Sequence, residues 1–224
     1  MNYRIDYSDE NSIGSRLRRR RLRMLTPLID AAFAERGAVS ILDVGGRQAY
    51  WELFPKGYLE SRRAKITLLN LPDELQGTTD SNLFQYVAGD GCSVAYDDNS
   101  FDIVHSNSVI EHVGGWDRIQ LFASECNRLG RRVFVQTPNF WFFVEPHFLK
   151  PFIHWLPRPV RVSLFMMFDM GERGRACNLS EAITMVENEP LLLDRRTLAL
   201  LFPDCEIARE RILFMTKSLV ARRA

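Results

Sequence analysis

Between Ser40 and Gly46 the chain reads Ser-Ile-Leu-Asp-Val-Gly-Gly, an apolar run ending in an acid and two adjacent glycines. A run that is apolar on both faces and stopped by Gly has the pattern of a buried parallel strand. Asp43 then falls near the strand's carboxyl edge, where open α/β sheets bind their ligands. Gly45 and Gly46 permit a sharp turn and, lacking Cβ, a close approach of a ligand to the backbone. This is how a nucleotide-like cofactor site begins. The next residues, Arg47-Gln48-Ala49-Tyr50, leave only the first glycine of a dinucleotide-binding Gly-x-Gly-x-x-Gly in place. No Gly-Lys-Ser/Thr follows either, which excludes a phosphate-cradling P-loop.

The surrounding elements set where this turn can lie. Ser15 to Met24 suits an arginine-rich helix; Thr26-Pro27 then predicts a restart, with Thr as N-cap and Pro at the first helical position, closed by Gly37. Buried strands are expected at 40–44, 65–71, 85–90, 101–107 and 132–137, the last cut off by Pro138. Ile119, Phe122, Cys126 and Leu129 recur at helical spacing before Gly130. The segments 206–214 and 217–221 should pair antiparallel across a tight turn. The predicted fold is α/β: a Rossmann-like doubly wound seven-stranded sheet, mostly parallel with a C-terminal antiparallel hairpin. The stretch between the fifth strand and that hairpin far exceeds the roughly 12 residues a crossover needs, so an inserted helical lid is expected at about 140–190. The expected organisation is an N-terminal helical cap over 1–37 and one domain over 38–224.

Three segments carry a resemblance to a known family: Leu-Asp-Val-Gly-Gly (42–46), Ala-Gly-Asp-Gly-Cys (88–92), and Asp-Asp-Asn-Ser-Phe-Asp-Ile-Val-His-Ser-Asn-Ser-Val-Ile-Glu-His-Val (97–113). Over about Val39 to Asn139 the chain resembles the class I S-adenosylmethionine-dependent methyltransferases, type 11-like. The resemblance implies S-adenosylmethionine as cofactor and S-adenosylhomocysteine as product. It implies that backbone amides around Gly45 and Gly46 take the cofactor's carboxylate. Asp43 would order this loop and face the cofactor's ammonium. Asn70 stands where the family places an acid on the ribose diol, and an amide there gives up the charge-assisted bond. Asp90 would accept from the adenine amino group, with the Gly91 and Cys92 amides beside the ring. Ser106 and Asn107 would lie near the reacting sulfonium. Arg47 and Ala49 replace further glycines, making the loop bulkier than usual.

Methyl transfer is an in-line displacement at an activated sulfonium, so the protein chiefly positions the acceptor and excludes water. A hydroxyl acceptor also gains from a base near neutral pH, which favours His. His147 is the first candidate catalytic residue, with Glu145 as its orienter; the pair could equally hydrogen-bond lid backbone. His112 is expected to open the helix after the fourth strand and face the cleft. His105, inside a strand, reads as structural, and His154 as packed on its Trp neighbour. The wording Thr137 to Pro157, rich in Pro and aromatics, resembles methyltransferases of glycan, lipid and related pathways. Glu145, His147 and His154 match no familiar metal-ligand spacing, and no metal site is expected.

The 224 residues are 46% hydrophobic and 25% charged, with a net charge of +1. Six of the 29 basic residues fall in Arg16–Arg23, so the rest of the chain is net acidic. A nucleic-acid partner is therefore not expected. The arginine run reads first as a solvated helix face with Leu17, Met24 and Leu28 turned inward, and second as a contact with anionic headgroups at the inner face of a membrane. Cys92, Cys126, Cys177 and Cys205 form no CxxC pair and read as reduced thiols of a cytoplasmic protein. Met166, Met167 and Met170 with Phe165 and Phe168 form an apolar patch suited to packing or lid closure. The expected activity is methyl transfer, most simply at oxygen, to a small-molecule or glycan- or lipid-linked acceptor. The alternatives are a cofactor-binding scaffold without turnover, distinguished by binding without transfer, and an RNA methyltransferase using the arginine helix.

Overall fold

The computed structural model describes residues 13–171 and 174–224, with the side chains of residues 13–17 outside the description. Helix α1 (Ile13–Arg36) leads into β1 (Val39–Val44), the short helices α2 (Gln48–Trp51) and α3 (Tyr58–Ser61), then β2 (Ala64–Asn70) and β3 (Phe84–Ala88). Next come β4 (Phe101–Asn107), a 3-10 turn over Ile110–His112, α4 (Trp116–Leu129) and β5 (Gly130–Pro138). A two-stranded ribbon, β6 (Val144–Glu145) and β7 (Lys150–Pro151), precedes α5 (Arg158–Met167), α6 (Leu179–Glu187) and α7 (Arg195–Leu201); β8 (Glu206–Ile212) and β9 (Met215–Arg223) end the chain.

The main sheet has seven strands in the order β3-β2-β1-β4-β5-β9-β8. The pairs among β1 to β5 are parallel, and β9 runs antiparallel to both β5 and β8. The chain winds outward from β1 to β3, then returns to lay β4 on β1's other side. The carboxyl ends of β1 and β4 therefore flank the point where strand order reverses, and a crevice opens there.

Alternate residues of the central strands feed two cores. Leu42, Val44 and Val104 pack with Phe122 and Cys126 of α4 on one face. Ile41, Ile103 and Phe134 pack with Leu25, Ile29 and Ala32 of α1 and with Trp51 on the other. A third cluster (Phe148, Ile153, Val162, Phe165, Met170, Ala176, Ala182, Val186) lies within the stretch between β5 and α7. In the Met/Phe patch, Phe165 and Met170 belong to that core, whereas Met167 and Phe168 are exposed.

The expected break at Thr26-Pro27 does not occur: α1 runs through Pro27 as one helix. The Thr26 hydroxyl donates 2.7 Å to the Leu22 carbonyl one turn back and caps nothing. An interior Pro costs roughly 3 kcal/mol. Leu25, Leu28, Ile29 and Ala32 are all buried against the sheet. At about 1.5–3 kcal/mol for each large side chain, their burial outweighs the break. Leu28 is thus inward as expected, Met24 is half-buried, and Leu17 lies outside the described side chains.

Candidate active site

At the carboxyl edge of β1 the chain turns at Gly45, whose φ of +71° is a left-handed conformation suited to glycine. A Cβ there would sit 2.5 Å from the Val109 side chain, and a Cβ on Gly46 would overlap the Asp43 carboxylate at 1.8 Å. Both glycines thus make room for the protein's own side chains. Above this turn lies a cleft of about 560 Å³ whose lining includes Gly45, Asn70, Gly91, Ser108, His112 and Phe122. Asn70 donates through Nδ2 to the Gly46 carbonyl (2.9 Å), tying the end of β2 to the turn. Asp90, also in the lining, is gripped through both oxygens by Arg118 at 2.9 and 2.8 Å. The Cys92 amide donates to the same carboxylate, and these bonds hold it below the usual Asp range. Arg47 and Glu74 meet across the cleft's rim at 3.3 Å.

Four expected cofactor contacts are placed differently. Asp43 is fully buried and faces no ammonium: its carboxylate accepts from Trp51 Nε1 (2.7 Å) and pairs with His105 Nδ1 (2.6 Å). The cause is register, since Asp43 and His105 are direct partners on adjacent strands. Ser106 is fully buried, its hydroxyl donating to the Val44 carbonyl. The carbonyl oxygen of the Asn107 side chain accepts from Arg21. The cleft is lined instead by Ser108 and Val109, because the chain turns at Ser108, whose φ is +58°. Cys92 is buried outside the cleft's lining, its thiol on the Arg118 carbonyl and its amide donating to Asp90. Burial pushes that thiol up to about 11.

The three candidate catalytic residues meet. Glu145 Oε1 pairs with His147 Nδ1 at 2.6 Å, and Glu145 Oε2 accepts the backbone N–H groups of His147 and Phe148. Orientation of the ring and support of the loop backbone are therefore one arrangement. His147 Nε2 lies 3.1 Å from His112 Nε2. With its Nδ1–H given to the carboxylate, a neutral His147 presents a lone pair at Nε2. His112 sits in a 3-10 turn, since α4 begins only at Trp116, and it lines both the cofactor cleft and a second cavity of about 380 Å³. His105 is buried between aromatic rings, and His154 bonds the Phe140 carbonyl beside Trp155.

Residue-type reasoning passed over Arg118, Ser108 and Glu111. Glu111 is buried, accepts from the Thr137 hydroxyl at 3.0 Å, and leaves Oε1 with no hydrogen-bond partner among the described residues. Burial pushes its carboxyl up to about 7, against the pull of its own backbone N–H, of the Thr137 hydroxyl and of nearby His147. Its only signal in the sequence is its place in Ile110-Glu111-His112-Val113. The arginine run is also not uniformly solvated. Arg21 is buried, and its Nε reaches both oxygens of Glu210 at 2.9 and 2.8 Å, while Arg20 and Arg23 are exposed.

The family model described as a methyltransferase domain matches residues 54–132. Among solved structures, the PH0226 protein of Pyrococcus horikoshii OT3 superposes with a TM-score of 0.51 at 14% identity, over 96% of this chain and 93% of that one. An O-methyltransferase family protein from Burkholderia thailandensis gives a TM-score of 0.48 at 14% identity, over 93% of this chain and 58% of the other. This chain thus spans less than two thirds of that protein. A SAM-dependent methyltransferase from Methanosarcina mazei gives 0.46 at 13% identity, over 83% and 91%. Of the three only the Pyrococcus protein passes 0.5, and at that identity its likeness carries the fold alone. No curated protein sequence matches.

Proposed function

We propose that this chain, a class I S-adenosylmethionine-dependent methyltransferase, delivers the methyl group to the oxygen of a small-molecule or glycan- or lipid-linked acceptor. The observation that carries the reading is His112, a wall shared by the cofactor cleft and a second cavity, with the carboxylate-backed His147 beside it. An acceptor in that cavity would lie between the cofactor and a base.

The cleft fits the cofactor. Its volume is in the range of small-molecule sites. The Gly45 amide is spent on the Leu69 carbonyl (2.8 Å), so a carboxylate would be taken by the amides that follow it in the turn. Asn70 spends only its N–H on Gly46, so its oxygen is left to accept from a ribose hydroxyl. Arg118 holds Asp90 in place at the other end. When bound, S-adenosylmethionine supplies a methyl group already activated on a sulfonium.

The chain's own residues then have limited tasks. Glu145 fixes the His147 ring, His147 Nε2 takes the proton from the acceptor hydroxyl, and His112 holds the boundary between the two cavities. The ribbon and helices from 140 to 190 act as a lid that keeps water from the reacting centre. Among the described residues no helix is long and apolar enough to cross a membrane. Exposed Arg20 and Arg23 on α1 support contact with anionic headgroups, which suits a lipid-linked acceptor. Burial of Arg21 against Glu210 removes one charge from any nucleic-acid surface.

The test begins with calorimetric titration by S-adenosylmethionine and S-adenosylhomocysteine, with NAD as control. Labelled methyl transfer to acceptor extracts follows. Micromolar binding of the sulfur cofactors alone, with label appearing on an oxygen, is expected. Binding without transfer to any extract would favour a scaffold.

A further inference from the structure

We propose that Glu111, His112 and His147 bind one divalent transition-metal ion, of the zinc, cobalt or iron kind, beside the cofactor cleft. A bound ion would occupy the His147 Nε2 lone pair, so it stands as an alternative to that atom's role as base in the methyl-transfer reading above. Its existence does not depend on that reading. One carboxylate oxygen of Glu111 and one ring nitrogen from each histidine lie within 4.8 Å of one another. The two Nε2 atoms are 3.1 Å apart. Two imidazole nitrogens about 2.1 Å from a common ion are separated by roughly 3.0–3.4 Å for octahedral to tetrahedral angles. The histidines thus have the spacing of neighbouring ligands with no ring moved.

The outer partners match as well. A metal-bound histidine commonly donates its other N–H to a carboxylate, and His147 Nδ1 has Glu145 at 2.6 Å. Ligating carboxylates are themselves hydrogen-bonded, and Thr137 donates to Glu111 Oε2. An independent observation points the same way. Glu111 is 1% exposed, and its Oε1 has no hydrogen-bond partner among the described residues. A buried carboxylate oxygen left without a donor costs on the order of 1–3 kcal/mol or more, and a cation within reach would remove that cost. Two imidazoles with one carboxylate suit a borderline-soft ion better than magnesium or calcium, which take oxygen ligands. Three protein ligands leave positions open, as in catalytic rather than structural sites. The second cavity, lined by Glu111 and His112 together with Glu187 and Glu189, gives the ion and an acceptor oxygen a way in.

Metal-stripped full chain is titrated with Co²⁺, followed by visible absorbance, and with Zn²⁺ by calorimetry. One ion per chain is expected. His147→Ala and Glu111→Gln should each weaken binding by more than about 100-fold, beyond the 10–100-fold typical of losing an outer partner. His154→Ala should leave binding unchanged. If Glu111→Gln fails to fold, His112→Ala, at an exposed position, replaces it with the same expected loss. No stoichiometric uptake by folded wild-type chain, or uptake unchanged in these variants, would overturn the proposal. S-adenosylmethionine is titrated into the same preparations: cofactor bound without metal sinks the metal site alone, and metal bound without cofactor sinks the methyl-transfer reading alone.

Discussion

Among the described residues, the histidine–carboxylate pairs Asp43–His105 and Glu145–His147 share a separation of 2.6 Å. The first is sealed in the sheet. Its side chains are 0% and 1% exposed, His105 is flanked by Tyr50 and Phe134, and its Nε2 meets no partner among the described residues. The second lies on a loop beside a cavity, with the His147 side chain 21% exposed and its Nε2 directed at His112. What the far nitrogen meets decides the role. Enclosed by aromatic rings, it can only hold strands and turn together; facing an accessible polar group, it can take a proton or an ion.

This contrast can be broken by experiment. Removing the carboxylate from the buried pair leaves the Trp51 and His105 ring nitrogens without their acceptor, at roughly 1–3 kcal/mol each. Asp43→Ala should therefore lose that much stability in chemical denaturation, or fail to fold, and a loss below about 1 kcal/mol would end the scaffold assignment. The sealed pair reaches the cofactor only through the turn above it. Gly45→Val would bring a β-branched side chain to a positive φ and against Val109, and should abolish measurable S-adenosylmethionine binding in calorimetry. Retained affinity would remove the turn from the site. On the open pair, His147→Ala should lower kcat by about 100-fold or more. Its cofactor affinity should stay near wild type, and equal turnover would leave His147 as loop support only.

The smallest effect concerns Asn70. Residue type alone argues that Asp there would restore a charged grip on the ribose. The 2.9 Å bond from Asn70 Nδ2 to the Gly46 carbonyl reverses that, because a carboxylate cannot donate and would face a carbonyl oxygen. Asn70→Asp should weaken cofactor binding several-fold; tighter binding would mean the turn does not depend on this bond.

The alternation of buried apolar strands with helices was legible because two-faced burial leaves a continuous apolar run, as in Ile41–Val44 and Ile103–Val104. Asp43 and the His147–Glu145 pair were singled out by residue type, and Asn70 and Asp90 through the family resemblance. Their partners were not. Asp43 meets His105 through strand register 62 residues away, and His112 meets His147 35 residues away, so neither spacing appears as a local motif. Glu111 gave no signal beyond its place in Ile110-Glu111-His112-Val113, since a Glu in a turn is ordinarily solvated. Ser106 and Asn107 were misplaced by a residue or two, the distance over which a strand end becomes a left-handed turn. Pro27 misled because local propensity favoured a break that burial of one helix face overrode.

The sheet order carries a consequence for how the molecule is made. The arginine bond from α1 reaches Glu210 across 189 residues, and β9 lies between β5 and β8. During translation β5 remains an open sheet edge, and Arg21 a buried-to-be charge without its acid, until the last two strands have left the ribosome. Such an edge invites pairing with other chains, and contacts this distant in sequence form slowly. Nascent chains halted before β8 should therefore be the species most dependent on chaperones.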